Sequence, residues 1–379
     1  MLRITYIHEH PDWPHFQWRQ EELIDLLATI RHQQGLLLGR MEAVGFDLRQ
    51  QAELNALTET VLKTSEIEGE VLNVDEVRSS VASRLGVDIG GLAPPHRNVD
   101  GIVDLMVDAT LKSDEPLSAE RLFGWHSSLF PTGRNNITRI TTGAWRAPGD
   151  GPMRVVSGRI GRERIHFEAP SEDRIEQEMR AFLQWFNAPT KHDNILNAAI
   201  AHLWFVTIHP FDDGNGRIAR GIADMALARS DGVSQRFYSM SSQIRKERAD
   251  YYEILELTQK GAMDITNWMV WFLDCLGRAL ENAQDTVASA VARVRFWDTF
   301  AGMQLNDRQR KVIRQLVNGF DGYLTTTRWA KITGCSQDTA LRDITDLINK
   351  SVLERSQSGG RSTRYDLVNA VPASANARS

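Results

Sequence analysis

Apolar residues recur at helical spacing through most of the chain. Between Glu21 and Arg40, and on to Met41, the positions Leu23, Leu26, Leu27, Ile30 and Leu37 predict one amphipathic helix. Gln50–Ser65 repeats the pattern with Ala52, Leu54, Leu57, Val61 and Leu62, and Val74–Leu85 runs into Gly86, a helix stop. Further helices are expected over Asn98–Leu111 and from Ser118 onward. Gly143–Ala169 breaks the period: Met153–Val156 and Arg164–Phe167 read as short strands around Ser157-Gly158-Arg159-Ile160-Gly161, a β-hairpin. Helices resume at Ser171–Phe186, Asn194–Ile208, Ile218–Ala228 and Trp268–Ala301. Asn194–Ile208 is apolar on nearly every face, which places it in the middle of a domain.

The last part of the chain has a different layout. Asn306–Asn318 reads as a helix, Thr325 or Thr326 caps a short one ending at Gly334, and Ser336 starts a third. Val352–Arg355 and Thr363–Leu367 then read as two strands. Three helices and a hairpin form a winged helix-turn-helix pattern, with Arg361 and Arg364 on or beside the wing. DNA contact by the helix at 336–349 and docking to protein both fit. Arg342 and Lys350 favour DNA, whereas Asp338, Asp343 and Asp346 oppose it. The polar tail Pro372–Ser379 is expected to fray. The organisation is therefore a helical unit over 1–90, a main body over 91–300 and a winged helix-turn-helix domain over 306–370.

Composition narrows the class. The chain has 379 residues, 42% hydrophobic and 25% charged, which excludes wholesale disorder and a disulfide-stapled miniprotein. The net charge of −5 divides unevenly: residues 306–366 carry +4 and the rest −9. A nucleic-acid partner is thereby confined to 306–366. Cys275 and Cys335 lie far apart without a CxxC, so a reducing compartment fits and a structural zinc site does not. The N-terminus has no secretory pattern, and the longest apolar runs, Leu203–Ile208 and Trp268–Leu273, fall short of the ~20 residues a membrane span needs. A cytoplasmic protein without a membrane partner is expected.

Between the two most apolar helices lies a strongly polar loop, His209-Pro210-Phe211-Asp212-Asp213-Gly214-Asn215-Gly216-Arg217. Two glycines flank Asn215, so the backbone can turn and expose N–H groups. The loop opens into a helix whose N-terminal end favours an anion. Arg217 and Arg220 lie three apart at that start, Asp213 is a hard oxygen donor of the kind Mg²⁺ takes, and His209 is suited to general-base work. Together these suggest phosphoryl or nucleotidyl transfer to a hydroxyl. Taken alone, Gly-Asn-Gly is more often a turn, and a lone histidine more often structural. No GxxxxGK[ST] occurs, which excludes a P-loop.

His209–Arg220 reads H-P-F-D-D-G-N-G-R-I-A-R, which resembles the Fic family motif HxFx[DE]GNGRxxR at every specified position. The resemblance implies a mainly α fold, a helical bundle with a β-hairpin flap over the active site, and transfer of AMP from ATP to a Ser, Thr or Tyr hydroxyl of a protein. It implies that His209 is the base, that Asp213 binds Mg²⁺, and that Gly214, Asn215 and Gly216 form the anion hole. Arg217 would hold the phosphates and Arg220 the γ-phosphate. Tyr252, Leu255 and Gln259 resemble the family's adenine and ribose contacts. Gly-Arg at 216–217, where the kinase-like branch has Gly-Lys, favours AMP transfer over phosphorylation.

Thr64-Ser65-Glu66-Ile67-Glu68-Gly69 resembles the family's inhibitory motif [ST]xxxE[GN], with Thr64, Glu68 and Gly69 at the specified positions. In relatives that glutamate pairs with the second arginine, here Arg220. A bidentate pair would withdraw the guanidinium from the γ-phosphate. The aromatic segment Trp13, Phe16, Trp18 is similar to the unit preceding many Fic domains of this class. The expectation is thus an autoinhibited adenylyltransferase acting on an unnamed target and on itself, with ATP and Mg²⁺. Homodimers are common among similar proteins. A DNA-binding regulator that senses nucleotide and removal of AMP by the same site are the alternative readings.

Overall fold

The computed structural model describes residues 5–89, 96–135, 138–147, 152–158, 162–190, 192–233, 235–300, 302–317, 323–356 and 363–368. Two compact units divide the chain, Met1–Glu281 and Asn282–Ser379. The fold is mainly helical, as expected, and its few strands form three separate two-stranded antiparallel sheets among the described residues.

The first unit begins with α1 (Gln20–Ala43), α2 (Phe46–Ile67) and α3 (Val74–Leu85). The buried stripe of α1 is Leu23, Ile30, Gln34, Leu37 and Met41, a spacing of seven, four, three and four. Gln34 is the polar member, and it donates to the buried Asp231. Asn73 caps α3 by accepting from the N–H groups of Asp75 and Glu76, and Gly86 ends it in the left-handed region. Next come α4 (Arg97–Leu111) and α5 (Ala119–Leu129), the latter capped by Ser118. A short ribbon, β1 (Arg134–Asn135) with β2 (Thr138–Arg139), precedes the hairpin of β3 (Arg154–Ser157) and β4 (Arg164–Glu168). The hairpin stands where the pattern break placed it, although residues 148–151 and the tip at Arg159, Ile160 and Gly161 lie outside the described residues.

Beyond the hairpin come α6 (Glu172–Asn187), α7 (Asn194–Ile208), α8 (Asn215–Asp231), α9 (Met240–Lys246), α10 (Arg248–Gln259) and α11 (Thr266–Thr299). Every residue of α7 from Ile195 to Ile208 is buried, and α7 packs along α8, which packs in turn on α4. Trp268 of α11 seals this core, its indole N–H donating to the Ala199 carbonyl at 2.8 Å. The helix expected to begin at Ile218 begins at Asn215. Its polar first turn is invisible to hydrophobic periodicity, and that turn carries the candidate chemistry.

The second unit holds α12 (Asp307–Val317), α13 (Thr326–Thr333), α14 (Gln337–Asn349), β5 (Leu353–Arg355) and β6 (Tyr365–Leu367). Its core is Val312, Ile313, Val317, Leu324, Trp329, Ala340, Ile344, Leu347 and the strand residues Leu353, Tyr365 and Leu367. Thr325 caps α13, Gly334 ends it and Ser336 caps α14. Two of the three aspartates weighed against DNA are engaged within the unit. Asp343 is buried and accepts from Arg308 (2.7 Å) and Asn306, while Asp346 accepts from Gln309 and Lys350. Arg364 lies 3.6 Å over the Tyr323 ring, while Arg361 and the tail at 372–379 fall outside the described residues.

Candidate active site

The site forms where α7 ends and α8 begins. His209 caps α7 with φ +51°, in the left-handed region that few residues besides glycine adopt, and Gly214 precedes α8 at φ +78°. The loop between them is clamped by one side chain. Asn215 accepts from the Phe211 N–H at 3.0 Å and donates to the Phe211 carbonyl at 2.8 Å. Its carbonyl oxygen and one of its N–H groups are thus taken up within the loop, which fixes the turn.

His209 is held from two directions. Its Nδ1 lies 3.1 Å from the Val206 carbonyl, which can only accept, so Nδ1 carries the proton and Nε2 keeps its lone pair. Burial pushes its pKa below the usual imidazole value and Arg146 adds to this. The Val206 contact, Asp213 and Glu68 oppose the shift. Behind it, Arg146 is buried and donates from Nε to the His209 carbonyl at 2.9 Å, while its main-chain N–H donates to the Pro210 carbonyl. Glu172 pairs with the same guanidinium at 2.9 Å. Arg146 thus fixes the backbone that carries the histidine. On the other side, His126 stacks on Phe211 at 4.2 Å, and burial drives its pKa to about 4, which keeps that ring neutral.

The arginines face the end of α2. Arg220 is almost fully buried, and its Nε donates to Thr64 Oγ1 at 2.6 Å. Its Nη2 donates to the Thr64 carbonyl at 3.0 Å and to Glu68 Oε1 at 2.6 Å. Thr64 and Glu68, four apart on one helical face, therefore hold the same guanidinium. Burial works to raise the Glu68 pKa, but Arg220, with Arg217 and Arg248, outweighs it and holds the carboxyl below its ordinary value. Glu68 also reaches the first turn of α8: a Cβ at Gly216 would collide with Glu68 Oε1. Gly69 follows at φ +86°. Arg217 lies over the Phe130 ring at 5.1 Å and donates to Glu70 at 3.1 Å.

Asp213 is partly exposed and accepts from the Asn135 side chain. Among the described residues no cluster of three or more His, Cys, Asp or Glu is placed to hold a metal. On α10, Tyr252 is open to solvent along one side, with Arg248 5.0 Å over its ring. Leu255 and Gln259 are buried, and Gln259 donates to Thr207 at 3.2 Å. On the same helix, one residue after Leu255, Glu256 fastens the hairpin to α10: His166 Nδ1 lies 2.6 Å from it and Arg164 donates to it at 2.9 Å. Burial works to raise its pKa, but hydrogen bonds from Lys260, His166 and Arg164 outweigh it and bring the carboxyl to about 2. The sequence pattern singled out neither Arg146, Glu70, His126 nor Glu256. Each acts through a partner far along the chain, and no local spacing marks them.

The Fic/DOC family matches residues 116–227, and a domain of unknown function, DUF4172, matches residues 6–87. The protein adenylyltransferase Fic of Aedes aegypti is 26% identical over 288 residues, and that of Culex quinquefasciatus 26% over 290. Each match covers 74% of this chain and 49% of the relative, so the chain spans about half the length of these curated relatives. The crystal structure of a Fic family protein from Desulfovibrio desulfuricans G20 shares the fold, with a TM-score of 0.51 and 22% identity over 91% of this chain and 95% of that one. No helix among the described residues is long and apolar enough to cross a membrane. The chain therefore carries a Fic domain over residues 116–227, and the loop from His209 to Arg220 lies inside it.

Proposed function

We propose that the protein is an adenylyltransferase that moves AMP from ATP to a Ser, Thr or Tyr hydroxyl of a protein. The observation that carries this reading is His209: Nδ1 is engaged by Val206, and Nε2 keeps its lone pair beside the helix start that bears Arg217 and Arg220. Nε2 takes the proton from the acceptor hydroxyl, whose oxygen attacks the α-phosphorus. The bond from that phosphorus to the bridging oxygen breaks, and pyrophosphate leaves. The first N–H groups of α8 stabilise the negative charge on the phosphoryl oxygens. Arg217 and Arg220 orient the remaining phosphates. Tyr252, Leu255 and Gln259 stand nearest the purine and ribose in this reading.

Asp213 suits Mg²⁺. It is a partly exposed hard oxygen donor, and Mg²⁺ commonly takes one or two carboxylates and fills its shell from phosphates and water. The ion would supply charge neutralisation at the phosphates. Glu68 acts as the brake: the ion pair at 2.6 Å occupies the arginine that the γ-phosphate needs. Thr64 and Gly69 hold the brake in register from the N-terminal unit. Residues 306–370 are proposed as a winged helix-turn-helix docking module, and with Asp343 and Asp346 engaged internally duplex DNA stays a candidate partner. A salt-sensitive shift of duplex DNA separates that partner from a protein.

In the Glu68→Gly variant, where the proposed brake is lifted, ATP labelled at the α-phosphate is expected to label protein, and ATP labelled at the γ-phosphate is not. Transfer from the γ position would make the reaction a phosphorylation, and no transfer from either would leave a nucleotide sensor. The pH dependence follows from His209. Only the neutral imidazole accepts a proton, and burial lowers its pKa. The rate should therefore hold as pH falls from 8 to the ordinary histidine value of about 6.5, and drop only below it. An acid limb centred above that value in the pH–rate profile would contradict the assignment.

A further inference from the structure

The end of α2 presents two carboxylates to the site. Glu68 closes the helix, Gly69 turns at φ +86° and Glu70 follows. The Gly69 N–H donates to the Glu66 carbonyl at 3.1 Å and the Glu70 N–H to the Ser65 carbonyl at 3.0 Å. These two bonds form a Schellman motif, which folds the chain back on the helix end. Glu70 is thereby brought to the same side as Glu68. Glu68 takes Arg220 at 2.6 Å, and Glu70 takes Arg217 at 3.1 Å.

The partner of Glu70 is not a free surface arginine. The Arg217 side chain is only 10% exposed, its guanidinium lies over the Phe130 ring, and its Nε has no hydrogen-bond partner. Asp213 lies 4.0 Å away on the other side. Glu70 therefore occupies the Nη1 end of a guanidinium held against the Phe130 ring, and an anion that takes that end must displace Glu70. Arg248 adds rigidity to the arrangement, since its Nε donates to the Ile67 carbonyl at 2.7 Å and holds the end of α2 in place.

We infer that Glu70 is a second determinant of polyphosphate binding at this site, withholding Arg217 as Glu68 withholds Arg220. The inference rests on the nucleotide reading given above. A polyphosphate must then exchange two ion pairs, one for each arginine of the loop, before it is seated. Removal of Glu68 frees Arg220 alone and leaves Arg217 occupied. The effect of Glu70 acts on phosphate and not on the nucleoside, because Arg217 lies at the phosphate end of the site.

The test is equilibrium binding of MgATP and of adenosine to the full chain carrying His209→Ala, which removes turnover. Adding Glu70→Gln, which keeps shape and loses charge, is expected to tighten MgATP by about three- to tenfold and leave adenosine unchanged. The gain should vanish when Arg217→Met is also present, as a double-mutant cycle requires. Unchanged MgATP affinity in Glu70→Gln, equal tightening of adenosine, or a gain that survives Arg217→Met would overturn the inference while leaving the nucleotide site intact. Absence of MgATP binding in every variant, with Glu68→Gly included among them, would overturn the nucleotide reading and this inference together.

Discussion

Replacing Glu68 by glycine is expected to raise self-labelling from α-labelled ATP by about 100-fold, the scale on which a misplaced reacting group costs rate. Arg220 is held by Thr64 Oγ1, by the Thr64 carbonyl and by Glu68, and the substitution removes only the last. The guanidinium stays anchored, and one of its donors becomes free for the γ-phosphate. The same change should lower stability without nucleotide, because Arg220 is buried and loses its counter-charge. A fully buried pair loses ~3–5 kcal/mol when one partner goes. The Glu68 side chain is 32% exposed, which reduces this to about 1–3 kcal/mol. Thermal melts should show that loss, and MgATP should restore part of it. A Glu68→Gly protein no more active than the parent would remove the brake from the mechanism.

His209→Ala in the Glu68→Gly background is expected to lower transfer by ~100- to 10,000-fold, the usual contribution of a general base. MgATP binding should persist, since on the proposed reading the phosphates meet α8 and the arginines. Alanine tolerates φ +51° poorly, so His209→Asn serves as the companion variant: asparagine adopts the left-handed region more readily. Both variants should lose label transfer. Labelling that survives in either, at the rate of the Glu68→Gly parent, would exclude His209 as the base.

Much of this architecture was legible along the chain. Asn73 and Gly86 mark α3 at both ends, since a cap and a left-handed stop act locally. The all-round apolar composition of α7 announced a buried helix with its bounds unchanged. The apolar pattern places the start of α8 at Ile218, three residues late, because Asn215-Gly216-Arg217 is helical yet polar. The break between α9 and α10 falls at Glu247, whose φ of −107° and ψ of 30° interrupt the helix with no glycine or proline to signal it.

The site divides in the same way. His209, Asp213, Gly214, Arg217 and Arg220 stand together because a single loop and helix start carry them. Glu68 could be found because Thr64-Ser65-Glu66-Ile67-Glu68-Gly69 resembles the family's inhibitory motif; its spacing from Thr64 alone would not mark it. Arg146 was hidden: its role arises from meeting the His209 carbonyl across 63 positions of sequence. Glu256 was hidden for a related reason, since a carboxylate on an exposed helix face gives no hint that a hairpin 90 residues earlier closes onto it. Tertiary pairing of this kind has no period to detect.

Gly216 illustrates how one position can answer to two masters. On the nucleotide reading proposed above, the phosphates ask for a residue without a side chain there, and so does the carboxylate of Glu68, which lies where a Cβ would be. With glycine at 68 the second demand disappears. A side chain at 216 is thus excluded twice over, and one of the two reasons stands 148 residues away in sequence.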